Sequence, residues 1–179
     1  MKQLIGSQAS AADFDHPLEM LSACHDRVLD RVDTLERLAA HLPVHGCDEQ
    51  ARQAAANVIR YFDTAGEHHH DDEERDLFPL LAREAPEDAA ATALIVRLKD
   101  EHIRLRGMWQ ALRGELDAIR QGAAAQLDAE RIAHFGALYR RHIELEELQL
   151  LPLAERVLAE ADKRMIGAAM AGRRGVTFG

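Results

Sequence analysis

The sequence predicts an all-α protein, an up-down-up-down four-helix bundle with a short C-terminal extension. Three observations predict it. The 179-residue chain is rich in the helix formers Ala, Leu, Glu and Arg, with few β-branched residues and only 4% aromatics. Four stretches place apolar residues at steps of three and four, which is one face of a helix. Short segments containing Pro or Gly separate them, and short connections make sequential helices antiparallel neighbours. The length suits one domain, and 47% hydrophobic residues suffice for its core.

Residues 1–16 carry no strong period and read as a lead-in to a domain over 17–160. Pro17 suits a first helical turn. Leu18, Leu21, Val28, Val32, Leu35, Ala39 and Leu42 then share a face that also includes His25, and the segment 41–46 breaks the pattern with Pro43 and Gly46. A second helix starts near Asp48, an acceptable N-cap, and aligns Val58, Phe62, Gly66, His69, Glu73 and Leu77. Pro79 and Pro86 mark its end or a kink. The third stripe runs Ile95, Leu98, His102, Leu105, Trp109, Leu112, Leu116, Ile119, and 121–126 forms the next loop. The fourth aligns Tyr139, His142, Glu146, Leu150, Leu153 and Val157. Residues 161–179 read as a tail rich in Gly and Arg.

Segments 69–80 and 142–153 both fit H-x-x-x-E-E-x-x-L-x-P-L without a gap. His and Pro at one shared spacing seldom coincide by chance. Each copy follows a helix with one stripe histidine, His25 or His102, so the chain reads as a duplicated helix pair.

On a helix, residues i and i+4 lie one turn apart on the same face. His69 with Glu73, and His142 with Glu146, therefore each aim an imidazole and a carboxylate inward with their stripes. A buried carboxylate without a partner costs several kcal/mol, and no Lys or Arg sits plainly beside these on the stripes. A bound cation satisfies both glutamates and the imidazoles of His25, His69, His102 and His142 together. A nitrogen and oxygen set without thiolate suits Fe, Mn or Zn and disfavours iron–sulfur or zinc-finger chemistry. One octahedral ion could use all six groups; the pseudo-symmetry instead suggests one ion per half, with Glu73 and Glu146 bridging and room for an oxo or hydroxo bridge. A competing register pairs His70 with Glu74, and the alignment of Pro79 with Pro152 favours His69 and Glu73. His68 and His70 are expected as solvated neighbours, the acidic run Asp71–Glu74 as partly solvated, and His16, His41, His45 and His134 as surface or loop residues. Trp109, Tyr139 and Cys24 are expected to pack.

These residues resemble the hemerythrin-like HHE cation-binding family over about 17–160. The resemblance implies a four-helix bundle with a non-haem di-iron centre on His25, His69, Glu73, His102, His142 and Glu146, binding or responding to oxygen, peroxide or nitric oxide. Roles in the family include carriage, sensing and handling of reactive oxygen or nitrogen species, so a peroxidase- or oxidase-type enzyme and a metal-stabilised sensory module stand as alternatives. Two departures bear on it. Oxygen carriers have a second histidine one turn after the third-helix ligand, where this chain has Arg106. Their last acidic ligand lies five residues after its histidine, whereas Glu146 lies at four and Glu147 at five.

Composition narrows the partners. A net charge of −9 argues against binding nucleic-acid backbones or anionic membranes. The chain has no signal-like N-terminus, no long apolar run and only two cysteines, Cys24 and Cys47, so a cytoplasmic protein is expected. P-loop, G-x-S-x-G and G-x-G-x-x-G patterns are absent from the sequence.

Overall fold

The computed structural model describes residues 13–177. Most of the expected lead-in, 1–12, and the last two residues lie outside the described residues. Among the described residues every regular element is helical. They form five rods: α1 (Pro17–His45), α2 (49–84), α3 (Ala89–Arg120), α4 (129–157) and α5 (Glu160–Arg173). Two rods change pitch along their length. α2 contains two π-helical segments, Phe62–Gly66 and Asp72–Leu77, and α4 contains one, Glu146–Leu150.

Local chemistry sets the ends. Pro17 occupies the first turn of α1. Gly46 takes a positive φ of 70° and donates its N–H to Leu42 O at 2.8 Å, closing that helix. Pro43 lies in the last turns of α1 without ending it. Asp48, Asp88 and Asp128 each accept backbone N–H groups in the first turns of α2, α3 and α4. The helix does not end at Pro79: α2 continues to Glu84 and stops just before Pro86. A proline ring clashes with the carbonyl four residues back in a regular helix. Here that residue is Arg75, inside a π-helical segment, and at the matching Pro152 it is Leu148, again inside one. The wider π turn accommodates each proline.

The rods bury two apolar clusters. One takes Val28–Leu42 positions from α1, Ala51–Phe62 from α2, Leu105–Ile119 from α3 and Ile132–Ile143 from α4. The other takes Leu18–Leu21, Leu77–Leu81, Ala91–Leu98 and Leu150–Leu158 from the same rods. The order in which the chain visits the clusters alternates from rod to rod. His25, His69 and His102 each fall where their rod passes from one cluster to the other, and His142 lies one residue short of that passage.

Much of the expected C-terminal tail is helical. Residues Glu160–Arg173 form α5, whose Ile166 and Met170 enter the second cluster. Gly167 is needed for closeness, since a Cβ there would collide with the Phe14 carbonyl. No helix among the described residues is long and apolar enough to cross a membrane.

Candidate metal centre

All six residues singled out by spacing converge on the gap between the clusters. His25, His69, His102, His142, Glu73 and Glu146 are buried. Two groups of donor atoms that include carboxylates form, each within 4.8 Å: His25, His69, Glu73 and Glu146, and then Glu73, His102, His142 and Glu146. Both glutamates belong to both groups. His142 Nε2 lies 2.8 Å from Glu146 Oε1, His25 Nε2 3.1 Å from Glu146 Oε2, and His102 Nε2 3.3 Å from Glu73 Oε2.

The second glutamate of each repeat does different work. His102 Nδ1 donates to Glu74 Oε1 at 2.7 Å, and His25 Nδ1 donates to Glu147 Oε1 at 2.5 Å. His142 Nδ1 donates to Glu101 Oε2 at 3.0 Å. A carboxylate on Nδ1–H turns Nε2 toward the centre, free to give up its proton to a metal ion, the usual support for a metal-binding imidazole. Each repeat thus sends one glutamate inward and one sideways, to a histidine of the other half. The π-helical segments carry both pairs, Glu73–Glu74 and Glu146–Glu147. Glu147 is therefore a support for His25, and the register His70 with Glu74 does not form a site. Arg106 donates to Glu74 at 2.9 Å.

Sequence reasoning missed three features. His70 is buried, with its ring stacked 4.0 Å from that of His102. Asp72 is fully buried rather than solvated, held by Arg173 of α5 and by Arg174 just after it. Glu101, also buried, braces His142 and takes further contacts from Arg97 and Arg141. A stripe histidine next to an acid was the one available signal for Glu101. His16, His45 and His134 are exposed and His41 half-buried, while Trp109 and Tyr139 pack in the first cluster, as spacing led us to expect.

Without a cation, protonated imidazoles have to balance the buried glutamates. Burial, then the neighbouring Glu146 charge, pushes Glu73 up to about 7. Burial alone would raise Glu146 too, but His142, His102 and His25 together hold it well below the ordinary range. Burial opposes charge on His25, yet Glu146 and Glu73 lift it to about 9; His102, against the same penalty, reaches about 11 beside Glu146, Glu73 and Glu74. Burial drives His69 and His70 well down, which keeps both imidazoles neutral. Hydrogen bonding to His102 and Arg106 holds Glu74 near 2, so this support stays ionised.

A direct test of fit is the set of unsatisfied atoms. Among the described residues, the buried side-chain N and O atoms without a hydrogen-bond partner are His25 Nε2, His69 Nδ1, His70 Nε2 and all four oxygens of Glu73 and Glu146. Buried polar groups are otherwise almost always paired. The close histidine–glutamate approaches lack hydrogen-bond geometry, as expected where both partners point at a common third atom. The orphans gather in one place, and their chemistry suits a hard or borderline cation.

Fold and site together define a helical protein with a buried nitrogen and oxygen cluster that could hold metal ions. The family model for the hemerythrin HHE cation binding domain matches residues 16–154. A Haemophilus influenzae protein described as uncharacterized is 33% identical over 165 residues, 92% of this chain and 94% of that one. The chain belongs to the hemerythrin HHE cation-binding domain family, and membership implies binding of a metal ion, usually iron.

Proposed function

We propose that the protein is a non-haem di-iron protein that binds or responds to oxygen, peroxide or nitric oxide. His25, His69, Glu73, His102, His142 and Glu146 would hold the ions, on an up-down-up-down bundle extended by α5. The observation that carries this reading is the pair of donor groups that share Glu73 and Glu146. Two ions held there would give those four carboxylate oxygens the partners they lack. The proposed cofactor is two iron ions with an oxo or hydroxo bridge, with manganese or zinc as the substitutes the donor set also admits.

Two irons would supply reversible electron transfer to a small oxidising ligand. The chain's own residues do the rest. Glu74, Glu101 and Glu147 fix three imidazoles by their Nδ1–H groups. Apolar clusters on both sides exclude water and lower the local dielectric.

Protein isolated from iron-rich medium should contain about two irons per chain and show near-ultraviolet charge-transfer bands that azide perturbs. One iron or none, with unchanged spectra on azide addition, would overturn the reading.

A further inference from the structure

The two repeats differ at their second position, where the first has His70 and the second Ile143. Both side chains are buried. Ile143 packs in the first apolar cluster, as a residue at that place can. An imidazole there needs a reason, since an unsatisfied buried nitrogen costs about 1–3 kcal/mol.

Neighbouring residues on a helix point about 100° apart, and His69 and His70 diverge accordingly. His69 turns toward His25, with ring centroids 4.9 Å apart. His70 turns toward the other half, stacked 4.0 Å from His102 and 6.3 Å from His142. Ligand nitrogens of His70, His102 and His142 all lie within 4.8 Å of one another. His70 Nε2 is buried with no hydrogen-bond partner, whereas the Nδ1 atoms of His102 and His142 are occupied by Glu74 and Glu101.

We propose, resting on the two-metal reading above, that His70 is a fifth histidine ligand and binds the ion held by His102 and His142. The centre is then unequal, with two histidines at one position and three at the other. The three-histidine position is the more fully substituted, so an added anion binds at the position of His25 and His69. His70 is also the one residue of these donor groups that lines a small cavity with Phe62, Trp109 and Tyr139, of about 10 Å³. That is room for about one water molecule. Removing its ring joins this cavity to the centre.

The test uses full-length protein loaded with iron-57, in wild type, His70→Ala, His70→Gln and the half-buried neighbour control His68→Ala. Mössbauer spectra of wild type and the control should show two doublets of equal area. In both His70 variants one doublet should shift or disappear, with the second iron held roughly tenfold or more weakly and helical content by circular dichroism retained. Azide titration should give one site in wild type and a second in His70→Ala, which added imidazole closes. His70→Gln fills the volume and guards against collapse of the alanine variant. Superimposable spectra and one azide site in every variant, with two irons bound throughout, overturn the assignment of His70 while leaving the two-metal reading intact. Failure of wild type to hold two irons overturns both.

Discussion

Glu73 and Glu74 are adjacent and have opposite tasks, as do Glu146 and Glu147. The inward member has no hydrogen-bond partner, while the outward member fixes an imidazole from another rod. Glu74→Gln and Glu147→Gln should therefore weaken metal binding by about 10–100-fold without loss of helix. Competition against a chelator of known affinity measures this, and wild-type affinity in both variants would refute the supporting role. Spacing put Glu73 and Glu146 on their histidines' faces, because i and i+4 share a face whatever the surroundings, and the alignment of Pro79 with Pro152 chose that register over His70 with Glu74. It treated Glu147 as a spare ligand and Glu74 as part of another register. Their partners, His25 and His102, lie on other helices, and no local pattern encodes that pairing. His70 escaped for a related reason, since its neighbour already accounted for the motif.

At the scale of the elements, the rods depend on close crossings and on changes of pitch. Where α1 crosses α4, a Cβ on Gly136 would lie 2.8 Å from Val32 Cγ1, a stiff buried side chain. Gly136→Ala should cost about 1–3 kcal/mol by overpacking. Gly114, exposed on α3 with nothing within 4 Å of a Cβ, gives the opposite sign. Gly114→Ala should stabilise by about 0.5–1 kcal/mol through helix propensity. Urea unfolding of the two variants decides it, and equal shifts would discount the crossing argument. The stripes on α1 to α4 were legible because burial enforces a period of three and four. The π-helical segments were not, because residue types do not report an inserted turn. Pro79 therefore looked like a helix end, although the π turn before it removes the clash.

For the whole molecule, two features tie stability to function and to the C-terminus. An ion that binds only the folded state at about 100 times its Kd adds about 2.7 kcal/mol. For a chain of this size, that shifts the melting temperature by about 5–10 °C. Chelation should lower it by that amount, and identical melting of loaded and stripped protein would argue against a metal shared among four rods. Asp72, buried beside Glu73, depends on Arg173 at the end of α5 and on Arg174 just after it. Replacing both arginines with Ala should destabilise the fold by about 3–5 kcal/mol by leaving a buried charge unpaired. Adding Asp72→Asn should restore part of that, and a calorimetric double-mutant cycle with no coupling would detach α5 from the site.

The amino-acid order alone determined the helical class, the four long stripes and the six inward donors, since each follows from local periodicity and the cost of burying charge. Tertiary structure decided the rest: which carboxylate braces which imidazole, that His70 joins the cluster, and that 160–173 folds back as a helix. Those depend on the rotation and axial register of rods far apart in the chain, which side-chain spacing within one helix does not contain.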